Sequence, residues 1–109
     1  MEVRQSPRYK VQFRSSFSSA VLVAGEGVVR DLSVRGCRIA CRMSVPQGTE
    51  LELCLYLAEH GQEFPVTIPR AVVQWAERGE LGVEFLQLSE GAPEHIRRCL
   101  RPLETGPGA

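Results

Sequence analysis

The chain has 109 residues and a mass of 12.1 kDa, the size of a single domain with one modest core. With 43% hydrophobic residues, 24% charged residues and a formal net charge of zero, it reads as a soluble globule, and its overall field does not favour nucleic acid. No apolar run approaches the roughly 18–20 residues that cross a bilayer, and the polar start Met1-Glu2-Val3-Arg4 has no signal-peptide core, so the expected compartment is the cytoplasm.

Charge is unevenly spread at the start of the chain. Through Arg14 it carries Arg4, Arg8, Lys10 and Arg14 against Glu2 alone, and Lys10 is its one lysine. Tyr9, Val11 and Phe13 then alternate with Lys10, Gln12 and Arg14, the period of a half-buried strand. Residues 15–19, serines around Phe17, read as a polar turn or bulge. Residues 21–24 and 28–32 flank Gly25-Glu26-Gly27 and predict one kinked strand or two short ones. Cys37, Ile39, Cys41 and Met43 face inward, while Arg38 and Arg42 face out.

Pro46-Gln47-Gly48 is a turn, and Leu51, Leu53, Leu55 and Leu57 mark the clearest strand, with Glu50 and Glu52 on its other face. Residues 59–65 read as a loop. Val66-Thr67-Ile68 and Ala71, Val73 and Trp75 continue a strand past Pro69, which implies an edge or a bulge because proline cannot donate to a ladder. After an Arg78-Gly79-Glu80 turn, Leu81, Val83 and Phe85 form the last strand. The period then changes to helical: Ala92, Ile96, Cys99, Leu100 and Leu103 make one stripe, with Pro93 in the first turn and Pro102 near the end. Six or so antiparallel strands closed by one helix predict an all-β fold, a small six-stranded β-barrel with a C-terminal helix.

Catalytic and metal-binding patterns are missing. His60 and His95 are isolated surface histidines, and there is no nucleophile elbow, Walker A loop, zinc-protease helix or dinucleotide fingerprint. Cys37, Cys41, Cys54 and Cys99 fit neither a secreted disulfide framework nor paired zinc knuckles, and read as packing residues. The chain is therefore not expected to be an enzyme or to hold a metal.

Two segments stand out. Arg4-Gln5-Ser6-Pro7-Arg8 is an RxxxR arm ending where the first strand begins, and Asp31-Leu32-Ser33-Val34-Arg35-Gly36 is a DxSxxG turn followed by Cys37-Arg38-Ile39. In this order, with Pro46-Gln47-Gly48-Thr49 before the leucine-rich strand, Ala71-Val72-Val73-Gln74-Trp75, Leu81-Gly82-Val83-Glu84-Phe85 and a terminal helix, they resemble the PilZ domain family over nearly the whole chain. The resemblance implies a six-stranded split barrel that binds the bacterial second messenger cyclic di-GMP. It implies Arg4 and Arg8 as ligand arginines, Asp31, Ser33 and Gly36 as the facing wall, and Gln5, Arg35 and Trp75 as secondary contacts. Trp75 also reads as a core or rim residue.

The residue types suit that ligand. An arginine fork can pair with phosphate or with guanine O6 and N7, and a carboxylate accepts the N–H donors of guanine's Watson–Crick edge. Ser33 suits either donation to phosphate or holding the turn, and Gly36 suits close approach of backbone or a positive φ, where a side chain would intrude on the ligand. Residues 1–8 are expected to form a flexible arm that orders on the ligand, residues 9–104 the barrel and helix, and residues 105–109 a disordered tail. Ordering the arm costs roughly 1–2 kcal/mol of backbone entropy per residue, offset by charge-assisted bonds of roughly 1.5–3 kcal/mol each. Val3 stands before the first arginine where several relatives have a further arginine, which favours one bound ligand over a stacked pair. The expected output is a relay to a protein partner of unknown identity. The competing reading is a PilZ-fold protein–protein adaptor that binds no nucleotide.

Overall fold

The structure is a computed structural model describing residues 7–21 and 24–105. Six antiparallel strands, β1 (Tyr9–Ser18), β2 (Gly25–Leu32), β3 (Gly36–Ala40), β4 (Glu50–Glu59), β5 (Gln62–Glu77) and β6 (Glu80–Gln87), are followed by one helix, α1 (Ala92–Thr105). They close into a barrel in the order β1-β2-β3-β6-β5-β4, which is the expected fold. No helix among the described residues is long and apolar enough to cross a membrane.

The core is the inward half of the alternation. Leu51, Leu53, Leu55 and Leu57 of β4 are all buried, against Val29, Leu32, Ile39, Ile68, Val73 and Val83 from the other strands. Serines do not interrupt β1. Residues 15–18, expected as a turn or bulge, continue the strand: Phe17 is buried, and the buried Ser15 hydroxyl donates to the Gly27 carbonyl at 2.9 Å, so a polar side chain sits inside at no cost in unmade hydrogen bonds. Gly25 and Gly27 do not kink the chain either; they pair with Phe17 and Ser15 in the ladder. Val21 is exposed and lies outside both strands, and residues 22 and 23 are outside the described residues.

The β2 ladders slip elsewhere. Asp31 pairs with Arg38 but Val29 pairs with Ile39, and on the other side Lys10 pairs with Asp31 but Phe13 pairs with Val29. Arg30 is thus the extra residue of a bulge relative to β3, a device that re-aims the side chain beside it.

The expected 59–65 loop is instead a tight hairpin. His60 and Gly61 take φ of 53° and 78°, the two positive angles of a type I′ turn, so β4 and β5 run up to it on either side. Arg78 and Gly79, at 55° and 76°, make the same turn between β5 and β6. Pro69 lies at a register shift between β4 and β5, where its missing donor does no harm, in line with the expected bulge.

Helix α1 buries Ala92, Ile96 and Leu100, and Cys99 donates from Sγ to the Ala58 carbonyl. Its start is pinned by Ser89, whose hydroxyl donates to the Thr67 carbonyl at 2.7 Å. The stripe does not extend to Leu103, which is exposed in the last turn beside Pro102.

Candidate functional site

The DxSxxG segment is a turn built around a serine. The Ser33 N–H donates to the Gly36 carbonyl at 2.9 Å, and Ser33 Oγ accepts from the Arg35 and Gly36 amides at 3.1 and 3.2 Å. The buried hydroxyl is thereby committed to shaping the turn, one of the two tasks its residue type suits. Phe85 of β6 donates its amide to the Arg35 carbonyl at 2.9 Å and ties the turn to the barrel wall. Gly36 packs directly on β6: a Cβ there would run into the Val83 carbonyl oxygen. The close backbone approach expected at Gly36 is therefore to the neighbouring strand.

Asp31 sits where the bulge turns its carboxylate outward, with its side chain 17% exposed. Arg8 Nη1 donates to Oδ1 at 2.7 Å, and Arg38 Nε donates to Oδ2 at 2.9 Å. Arg38 Nη1 also spans both oxygens of Glu80, at 3.0 and 2.9 Å. Four charged groups from the arm, β2, β3 and β6 so form one chain, and both carboxylates hold the Arg38 guanidinium above its ordinary pKa.

Of the residues expected at the site, the structure brings Arg8 onto Asp31, and Gly36 donates to Ser33 in the turn that follows it. Arg35 is exposed at the turn, while Arg4 and Gln5 lie outside the described residues. Trp75 is placed less directly. The register carries one outward row across the barrel, Lys10, Asp31, Arg38, Gly82 and Trp75. Trp75 is three strand spacings from Asp31, about 14 Å along the sheet. Its indole lies on Gly82, where a Cβ would collide with it, and remains half-exposed.

Arg38 and Glu80 were not expected at the site. Arg38 was legible only as an outward residue between Cys37 and Ile39; its contact with Glu80 joins positions 42 residues apart. Among the described residues no cluster of His, Cys, Asp and Glu side chains is arranged to hold a metal ion, and the four cysteines are free.

The PilZ domain family profile matches residues 2–101. The chain belongs to the PilZ domain family. Its barrel is similar to the PilZ domain of YcgR from Escherichia coli, solved with c-di-GMP (TM-score 0.71, 16% identity, covering 95% of this chain and 93% of that one). It is also similar to the PilZ domain of CeSA from a cellulose-synthesizing bacterium (TM-score 0.64, 19% identity, 91% and 99% covered). The Bacillus subtilis inhibitor of motility MotI/DgrA aligns at a TM-score of 0.80 and 16% identity, over 98% of this chain and 54% of that one, so the PilZ chain described here spans about half the length of MotI. At these identities the likeness is one of fold. No curated protein matches the sequence.

Proposed function

We propose that this PilZ domain is a non-enzymatic receptor for cyclic di-GMP, binding one molecule between Arg4 and Arg8 of the arm and the Asp31, Ser33 and Gly36 turn. The observation that carries the reading is the 2.7 Å contact between Arg8 and Asp31, which joins the arm to the turn although they are 23 residues apart. The ligand is a dianion with two guanines, so it needs cationic forks for its phosphates and an acceptor for its N1–H and N2–H donors. Arg8 is half-exposed and has five N–H donors, so one can stay near Asp31 while others face a phosphate or the guanine O6 and N7. That a PilZ domain of the same fold was solved with c-di-GMP adds weight. Gln5, Arg35 and Trp75 are the secondary contacts of the proposal, and a change in the arm on binding relays occupancy to a protein partner.

Titration calorimetry with cyclic di-GMP, then with GTP and cyclic di-AMP, tests this. Heat with cyclic di-GMP alone is expected; no heat at roughly tens of micromolar ligand would leave the nucleotide-free adaptor as the better account. Arg8→Ala and Asp31→Ala should each weaken binding by more than about tenfold. The thermal midpoint of the ligand-free protein should barely move in Arg8→Ala, since an exposed ion pair adds little stability. Wild-type affinity in either variant removes that residue from the site. Amide NMR spectra with and without ligand test the relay, which requires shifts in the arm.

A further inference from the structure

We infer that Arg38 is a positioning residue that sets the guanine preference of this site by fixing the plane of the Asp31 carboxylate, with Glu80 as its anchor; the inference rests on the cyclic di-GMP reading above. An ionised carboxylate has about four lone-pair sites, two on each oxygen. Arg8 takes one on Oδ1 and Arg38 takes one on Oδ2, which leaves one acceptor site on each oxygen for a two-donor edge such as guanine N1–H and N2–H.

The two arginines do not hold Asp31 equally. Arg8 belongs to the arm and its side chain is 53% exposed, so its hold is the one a ligand can rearrange. Arg38 is 32% exposed and is itself fixed, because Nη1 is bonded to both oxygens of Glu80 on β6 while Nε bonds to Asp31 on β2. A planar guanidinium can bridge two carboxylates in this way; the point charge of a lysine cannot impose the same orientation. The Ser33 turn fixes the backbone after Asp31, and Arg38 fixes its side chain.

Charge and orientation can be separated by experiment. Arg38→Gln removes a positive charge near a dianionic ligand and weakens every such ligand, whatever its base. Glu80→Gln leaves that charge, weakens the anchor to a single neutral acceptor and removes a negative charge, an electrostatic change felt alike by cyclic di-GMP and its analogue. The informative quantity is therefore the ratio of affinities for cyclic di-GMP and its hypoxanthine analogue cyclic di-IMP, which lacks the exocyclic amine. In the wild-type chain the ratio should be about tenfold or more, the loss of one hydrogen bond to a charged acceptor.

In Arg38→Gln, Arg38→Lys and Glu80→Gln it should collapse to within about twofold. Circular dichroism checks folding, and should Arg38→Gln fail to fold, Glu80→Gln carries the test. A wild-type ratio retained in Glu80→Gln and Arg38→Lys overturns the inference while leaving the receptor reading intact. So does a wild-type chain that binds both ligands equally. A wild-type chain that binds neither overturns the receptor reading and this inference together.

Discussion

Gly36 and Gly82 lie in adjacent strands and a Cβ at either would meet a neighbour, yet substitution should read out differently at each. A methyl at Gly36 meets the Val83 carbonyl, which is backbone and cannot move without parting β3 from β6. Gly36→Ala should therefore lower unfolding free energy by about 1–3 kcal/mol in urea titration and disturb the Ser33 turn with it. A methyl at Gly82 meets the indole of Trp75 first, a side chain that can swing outward. Gly82→Ala should cost far less and instead shift the fluorescence of the one tryptophan to longer wavelength as the ring enters water. At this scale the sequence was readable where chemistry is local. An Asp-x-Ser-x-x-Gly string contains its own turn, because Ser33 reaches amides only two and three residues on. The Arg38–Glu80 contact was not readable, since it exists only once β3 and β6 have found their register.

Strand by strand, alternation carried most of the reading. The four leucines of β4 point one way because successive side chains leave a strand on opposite faces, and removing one leaves a cavity that neighbours cannot fill. Leu53→Ala should cost about 2–5 kcal/mol by chemical denaturation. Cys37 offers a second test on β3: burial pushes its thiol well above the ordinary value, with the Asp31 charge adding to the effect and Arg8 opposing it. Its alkylation rate in the native protein should therefore track global unfolding, and fast labelling under native conditions would contradict its place in the core. What alternation hid was punctuation. Serines looked like a turn in β1 although Ser15 has a carbonyl to bond, and His60-Gly61 looked like part of a long loop although two residues suffice. The Arg30 bulge left no composition signal, because a bulge is a mismatch between two strands and neither strand contains it alone.

For the molecule as a whole, closure brings together strands that are distant in the chain, β1 with β4 and β3 with β6. Some of that wall is laced by cross-strand ion pairs. Arg14 lies over the Tyr56 ring and bonds Glu63 at 2.8 Å, and Arg70 bonds Glu50 at 3.0 Å. These guanidiniums hold the Glu63 and Glu50 carboxyls below the usual 4.5. A carboxyl titrating lower when folded stabilises the protein at pH above the ordinary value and loses that contribution as pH falls through the folded one. The thermal midpoint should accordingly decline below about pH 4.5, modestly and less steeply at high salt, because both pairs are exposed. Arg14→Ala should return the Glu63 titration toward 4.5 by NMR. The β1–β2 ladder puts Lys10 opposite Asp31, in the outward row that includes Arg38. Since this is the chain's one lysine, an acylating dye or an amine-coupled sensor surface that reacts with side chains will fasten to the molecule at the rim of its own candidate ligand site. Coupling there would obstruct the proposed site, so the binding tests are better run free in solution.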